Sequence, residues 1–174
     1  MGPDSPFADN DLERELEIVD LNVRSTVHLA KRVLRDMKER DGGSILVTSS
    51  IAATMPGSFQ AVCNASKSSL LSVVATQNEL KDTGITLMMP GRTETDFFDR
   101  VDMDDTKVGR QYKDDPAEVA RQGLDALFSG KDKRVAGSMQ TKEQGLDQQG
   151  AARSAKAEAH RKVAEPGSGE RDGD

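Results

Sequence analysis

The chain has 174 residues and carries 30 acidic against 24 basic side chains, for a formal net charge of -6. That balance argues against a nucleic-acid or anionic-membrane binder, which needs clustered positive charge. Hydrophobic residues make up 35% and aromatic residues 3%, so any core is small and aliphatic.

One cysteine excludes an intramolecular disulfide and, with two histidines, argues against a zinc site. No apolar run reaches the roughly 18 residues of a membrane span. Residues 1–10 lack the basic and apolar stretches of a signal peptide. The expectation is a soluble cytoplasmic protein without metal.

In chain order, Leu12, Leu16, Val19, Val23, Val27, Ala30, Leu34 and Met37 step by three or four residues. This predicts one long helix with a single apolar stripe. Asn10 is its expected N-cap, Glu13 the capping-box partner, and Gly42-Gly43 the stop. Ser44-Ile45-Leu46-Val47-Thr48 is a short apolar run without alternation, which suggests a strand covered on both faces. After a turn-rich stretch with Pro56 and Gly57, a second helix is expected from Asn64 to Lys81, with Leu70, Leu71, Val74 and Leu80 inward and Gly84 ending it.

Ile85-Thr86-Leu87-Met88-Met89 reads as the second strand, closed by Pro90-Gly91. Asp115-Pro116 opens a third helix, aspartate as N-cap and proline in the first turn. Its expected apolar face is Val119, Leu124, Leu127 and Phe128, and Val135-Ala136-Gly137 is a weak last strand. From Gln140 onward the only large aliphatics are Leu146 and Val163. Such a segment buries too little to offset its ordering entropy. The expected division is a domain over 1–139 and a polar, disordered or loosely helical tail over 140–174.

Strands alternating with helices imply an α/β fold: a parallel sheet with right-handed crossovers and helices on both faces. Ligands in such sheets sit at the carboxyl ends of the strands. Thr48, Ser49 and Ser50 follow the first strand there, and Pro90, Gly91, Arg92, Thr93, Glu94 and Thr95 follow the second. Lys67, early in the intervening helix, lies near the same rim. Singly, each is a common turn or surface residue.

Their order and spacing together resemble the C-terminal part of the short-chain dehydrogenase/reductase family. The likeness covers about Leu12 to Gly137. It rests on Asn22 in the long helix, Ile45 through Ala53 with its Ser49-Ser50, Cys63-Asn64-Ala65-Ser66-Lys67, and Pro90-Gly91-Arg92-Thr93-Glu94-Thr95. The family pattern is a strand ending in Ser-Ser, a Tyr-x-x-x-Lys start thirteen residues beyond the second serine, and a Pro-Gly-x-x-x-Thr after the next strand.

The resemblance implies part of a Rossmann-type doubly wound sheet, about three strands and three helices. It implies hydride transfer between NAD or NADP and a small-molecule carbonyl or alcohol. Ser50 would bond the substrate oxygen. Lys67 would hold the nicotinamide ribose and lower the pKa of the neighbouring acid/base. Asn22 would anchor a relay water. Pro90, Gly91, Thr93 and Thr95 would line the nicotinamide pocket.

Two departures stand against the family pattern. The acid/base tyrosine is replaced by Cys63, whose thiol has a reference pKa of about 8.5 against tyrosine's of about 10 but is shorter by an aromatic ring. Cys63 is either an inert small residue at a lost site or a thiol activated by Lys67 and the helix N-terminus. Second, the glycine-rich turn, Thr-Gly-x-x-x-Gly-x-Gly, that receives a dinucleotide's pyrophosphate occurs nowhere in the chain.

Two functions are therefore expected to compete. One is a fragment or diverged member of the family, inactive as given. The other is a non-enzymatic module that self-associates through helices over 10–41 and 64–81. The strand at Ile45 is expected to be a bare sheet edge.

Overall fold

The computed structural model describes residues 6–55, 57–74, 84–100, 105–147, 160–165 and 167–169. A 3-10 turn, Phe7–Asp9, leads into α1 (Leu12–Val19), a π-helical turn (Asp20–Arg24) and α2 (Ser25–Glu39). Next come β1 (Ser44–Thr48), a 3-10 turn (Ile51–Thr54), α3 (Ala61–Val74) and β2 (Gly84–Pro90). The short α4 (Phe97–Arg100) and α5 (Lys107–Arg110), then α6 (Pro116–Phe128), β3 (Lys133–Ala136) and α7 (Met139–Asp147) complete the order.

The strands form one parallel three-stranded sheet in the order β1-β2-β3. Successive strand residues point to opposite faces, and both faces are covered. Val47, Ile85, Leu87 and Met89 join Leu70 and Val74 of α3 in the larger core, against which Leu34 of α2 packs. Met88 packs with Val119 of α6 and Ala136 on the other face, joined by Leu46. This double cover is why neither central run alternates. Among the described residues β1 pairs only with β2, so β1 is a sheet edge.

α6 approaches the sheet through small residues. A Cβ at Gly123 would lie 2.3 Å from the Met88 sulfur, so only glycine permits the observed closeness. The buried set is Val119, Gln122, Gly123 and Ala126. Leu124 and Phe128, expected inside, are 45% and 81% exposed. Size misled the pattern here, because the sheet-facing side of α6 is its narrow one.

The long first helix also differs from its expectation. Its N-cap is Asp11, not Asn10: Asp11 accepts a hydrogen bond from the Arg14 backbone N–H at 2.9 Å. Asn10 instead donates to Glu15 Oε1. The helix ends before the glycines in a Schellman arrangement, with Gly42 N–H bonded to Met37 O and Asp41 N–H to Lys38 O. Asp41 takes the left-handed position, φ 53, a conformation aspartate tolerates better than most residues.

The single stripe is in fact two. Leu12, Leu16, Val19 and Val27 are exposed, whereas Leu34 packs on the core and Met37 is buried. Val27 lies beyond the π turn and is still exposed, so the change from exposed to buried apolar residues falls within α2.

α3 begins three residues before Asn64. The expected continuation to Lys81, with Leu80, lies outside the described residues, and Gly84 starts β2 instead of only ending a helix. Asp115 caps α6 as expected, accepting from Glu118 N–H at 2.9 Å with Pro116 in the first turn. The position near 140 falls in the first turn of α7, and Thr141 is buried. No helix among the described residues is long and apolar enough to cross a membrane.

Candidate active site

Because all three strands are parallel, the loops after β1 and β2 emerge at the same end of the sheet. Ser49 is buried at the end of β1. Its N–H bonds Met88 O, and its hydroxyl donates to Lys67 O at 2.8 Å. Ser50 caps the following 3-10 turn by accepting from Ala52 N–H at 3.1 Å. Its hydroxyl donates to Pro90 O at 3.4 Å. The two serines thus tie the end of β1 to α3 and to the end of β2.

The sequence Cys63-Asn64-Ala65-Ser66-Lys67 lies in the first two turns of α3. Asn22 reaches it from the π turn: its Nδ2 donates to Ser66 Oγ at 3.0 Å, and Ser66 Oγ donates to Cys63 O at 2.7 Å. The π turn is a wide, uncommon conformation that recurs at functional positions. Here it carries Asn22 against the turn of α3 that holds Cys63. At the rim formed by the ends of β1 and β2 and the start of α3, three separate sets of bonds tie Asn22 to the Cys63 backbone through Ser66, the Lys67 carbonyl to Ser49, and Ser50 to Pro90.

The cysteine is not an activated thiol. Burial pushes its pKa up from the ordinary value, and the opposing charge of Lys67 is the smaller effect. A protonated, partly buried thiol is a poor nucleophile and a poor base. Asn64 beside it is buried; its Nδ2 donates to Met55 O, and its Oδ1 has no partner.

The loop after β2 is fixed from the far side of the site by residues that local spacing does not reveal. Thr93 bridges Asp114, with Glu94 N–H bonded to Asp114 O and Asp114 N–H to Arg92 O. The Asp114 carboxylate, 4% exposed, accepts from Thr141 Oγ1 at 2.6 Å and from Ser138 N–H at 2.9 Å. Burial lowers the pKa of Arg92, and Asp114 opposes that shift. Gln122 closes the same knot by bonding Gly137 O and Gly137 N–H.

Thr93 Oγ1 donates to Gly91 O, and Thr95 Oγ1 bonds only locally among the contacts described, to Thr93 O and Phe97 N–H. A Cβ at Gly91 would lie 2.5 Å from Thr141 Cγ2, so α7 fills the space beside that backbone.

A dinucleotide would need two anchors. The family resemblance gives Lys67, Pro90, Gly91, Thr93 and Thr95 the nicotinamide end. No strand followed by a glycine-rich turn and a helix is present among the described residues to receive a pyrophosphate. The residues present do not make a complete cofactor site, and no hydride step is derived from them. Among the described residues no cluster of histidine, cysteine and carboxylate side chains is arranged to hold a metal ion.

The family model for short chain dehydrogenases matches residues 1–106. The pig (Sus scrofa) protein Dehydrogenase/reductase SDR family member 4 is 29% identical over 126 residues, which cover 68% of this chain and 44% of that protein. The cattle (Bos taurus) protein of the same name is 38% identical over 86 residues, 47% of this chain and 30% of its own length. The chain thus spans less than half the length of these relatives. In structure it resembles a short chain dehydrogenase from Burkholderia cenocepacia in complex with NADP, at a TM-score of 0.74 and 22% identity over 94% of this chain and 66% of that one. It also resembles a short-chain dehydrogenase from Sphingobium yanoikuyae in complex with NADPH, at a TM-score of 0.72 and 18% identity, over 84% and 58% of the two chains. These likenesses carry the fold, and the matched family model, over more than half the chain, carries the membership: the chain belongs to the short chain dehydrogenase family.

Proposed function

We propose that this chain is the substrate-side half of an NAD(P)-dependent carbonyl reductase or alcohol dehydrogenase site, a fragment or diverged member that does not turn over as given. The observation that carries the reading is the rim itself. Asn22 bonds Ser66 in the turn of α3 that holds Cys63, Ser49 bonds the Lys67 carbonyl, and Ser50 bonds Pro90 O, while the position that would supply the acid/base is a partly buried thiol whose pKa burial pushes up.

In this reading Ser50 exchanges its bond to Pro90 O for a bond to the substrate oxygen, and Lys67 faces the nicotinamide ribose. Asn22 orders a water through its amide. Gly91, Thr93 and Thr95 border the nicotinamide. The cofactor, NAD or NADP, supplies the hydride when bound. A small carbonyl or alcohol is the substrate class, and the cytoplasm is the compartment, where a lone free thiol persists.

Positioned general acid/base catalysis contributes about 10²–10⁴-fold, so its loss together with the pyrophosphate anchor removes measurable turnover. NAD(P)H oxidation with a panel of ketones and aldehydes tests this. No rate above buffer is expected, and clear turnover overturns the inactivity.

A second reading is favoured by the exposed stripe of Leu12, Leu16, Val19 and Val27. It makes the chain an association module that self-pairs through α1, α2 and α3, with no chemistry of its own. An in-frame glycine-rich strand, turn and helix in the coding DNA ahead of Met1 would favour the fragment reading over the module.

A further inference from the structure

The C-terminal residues return to the rim of the candidate site. His160, 9% exposed, hydrogen-bonds the backbone of Ser58, and Ala164 beyond it is buried. Burial keeps the imidazole below its ordinary pKa, so it packs there uncharged at neutral pH. Ser58 belongs to the loop that feeds α3. That loop lies against the turn carrying Cys63: a Cβ at Gly57 would meet the Asn64 side chain at 2.5 Å.

The other end of the segment grips the region after the Gly91–Thr95 loop. Gly167 N–H donates to Asp105 Oδ2 at 2.6 Å, and Gly169 N–H donates to Asp105 O at 2.8 Å. Lys107 N–H donates to Ser168 Oγ at 3.0 Å, and Arg110 Nη1 donates to Gly169 O at 3.0 Å. Ser168 is 2% exposed. Gly167 stands at φ 70, in a turn where Ser168 N–H bonds Glu165 O and the amides of Gly167 and Gly169 face Asp105.

Ser58 follows β1, and Asp105 to Arg110 follow β2. Both stretches come from the loops at the carboxyl end of the sheet, the end at which Ser50 lies. The segment between them holds almost no large apolar residue; Val163 is the only one over 160–169. Its attachment at the Asp105 end is polar, and such attachments open locally at low cost.

We propose that residues 160–165 and 167–169 form a clasp across the mouth of the candidate site, latched at Asp105, which a ligand must unlatch to reach the rim. This rests on the reading of that rim as the ligand site.

Cys63 is the chain's single cysteine, so its labelling by a chromogenic disulfide reagent reports access to the rim without any turnover. In the full chain at constant pH, Asp105→Ala removes the carboxylate acceptor of Gly167 N–H and is expected to speed labelling about tenfold, the effect of losing one charge-assisted bond. Ser168→Ala, which removes the acceptor of Lys107 N–H, is expected to speed it in the same direction. Faster hydrogen exchange at the Gly167 and Gly169 amides should accompany both, with the global unfolding midpoint retained in at least one variant.

Labelling that stays at the wild-type rate while those amides exchange faster overturns the clasp as a cover. Unchanged exchange overturns the latch. Acceleration found only with global unfolding in both variants also counts against the proposal. A failed dehydrogenase assay touches none of these readouts, whereas an unchanged labelling rate leaves the family membership standing.

Discussion

Position 63 shows how one side chain decides between a fold and a function. The backbone there is tied to Asn22 through Ser66, while burial pushes the pKa of the thiol up. Cys63→Tyr alone is expected to give no NAD(P)H-dependent turnover, because the pyrophosphate anchor is still missing. In a chimera carrying a family N-terminal half, the tyrosine version should exceed the cysteine version by about 10²–10⁴-fold in kcat; equal rates would remove the argument. The thiol also predicts a pH dependence. Its folded pKa is raised above the ordinary 9.0, so burying it neutral stabilises the fold below that pH, and this contribution is lost as pH rises through the folded pKa. Unfolding midpoints by circular dichroism should therefore fall above about pH 9, and by less in Cys63→Ala. Asp114 is the residue that local reading missed. Its carboxylate holds Ser138 and Thr141, 24 and 27 residues away, a distance over which no motif or periodicity reports. Asp114→Ala leaves a buried hydroxyl and amide without their acceptor and is expected to cost about 3 kcal/mol in urea unfolding. The places of Ser50 after β1 and of Lys67 in α3 follow from short strand and helix intervals that the sequence pattern carries.

At the scale of elements, what sequence pattern reveals depends on whether an element's neighbours impose its own period. β1 and β2 read correctly because helices cover both faces and leave no alternation to misread. α6 read correctly at its start, where Asp115 and Pro116 act locally, and incorrectly along its face, where contact with β2 selects Gly123 and Ala126 over larger residues. Gly123→Val should therefore destabilise the chain by about 2 kcal/mol through overpacking against Met88. Phe128→Ser should change stability by less than about 0.5 kcal/mol, since its ring is already in water. Urea titrations of both variants, compared at equal slope, make the check. The long helix is the reverse case. Its periodicity is genuine, but the stripe stays exposed through Val27 and is buried only further along α2. The π turn at Asp20–Arg24, which a residue count alone cannot locate, sets Asn22 against Ser66.

The whole molecule leaves two surfaces without cover among the described residues. β1 presents one row of backbone groups that β2 does not satisfy, and unpaired edges template further pairing. Leu12, Leu16, Val19, Leu21 and Val27 range from 37% to 71% exposed along α1, the π turn and the start of α2. Charge is biased along the same helix: acidic residues prevail in its first half, Asp11, Glu13, Glu15, Glu17 and Asp20 against Arg14, and basic ones in its second, Arg24, Lys31, Arg32, Arg35, Lys38 and Arg40 against Asp36 and Glu39. An antiparallel pair of these helices, one from each of two copies, buries both apolar stretches and sets opposite charges against each other. Self-association is therefore the expected state in solution. It should appear as a mass above 18.8 kDa by light scattering after size exclusion, and as a melting temperature that rises with protein concentration. Added salt should weaken it in part, because the charge pairing is screened while the apolar burial is not. Leu16→Glu together with Val19→Glu should shift the chain toward monomer, and helix content should persist in part where packing is lost. A wild-type monomer that melts in one sharp, concentration-independent transition would mean that this half of the fold is stable alone, with the stripe and the β1 edge tolerated in water.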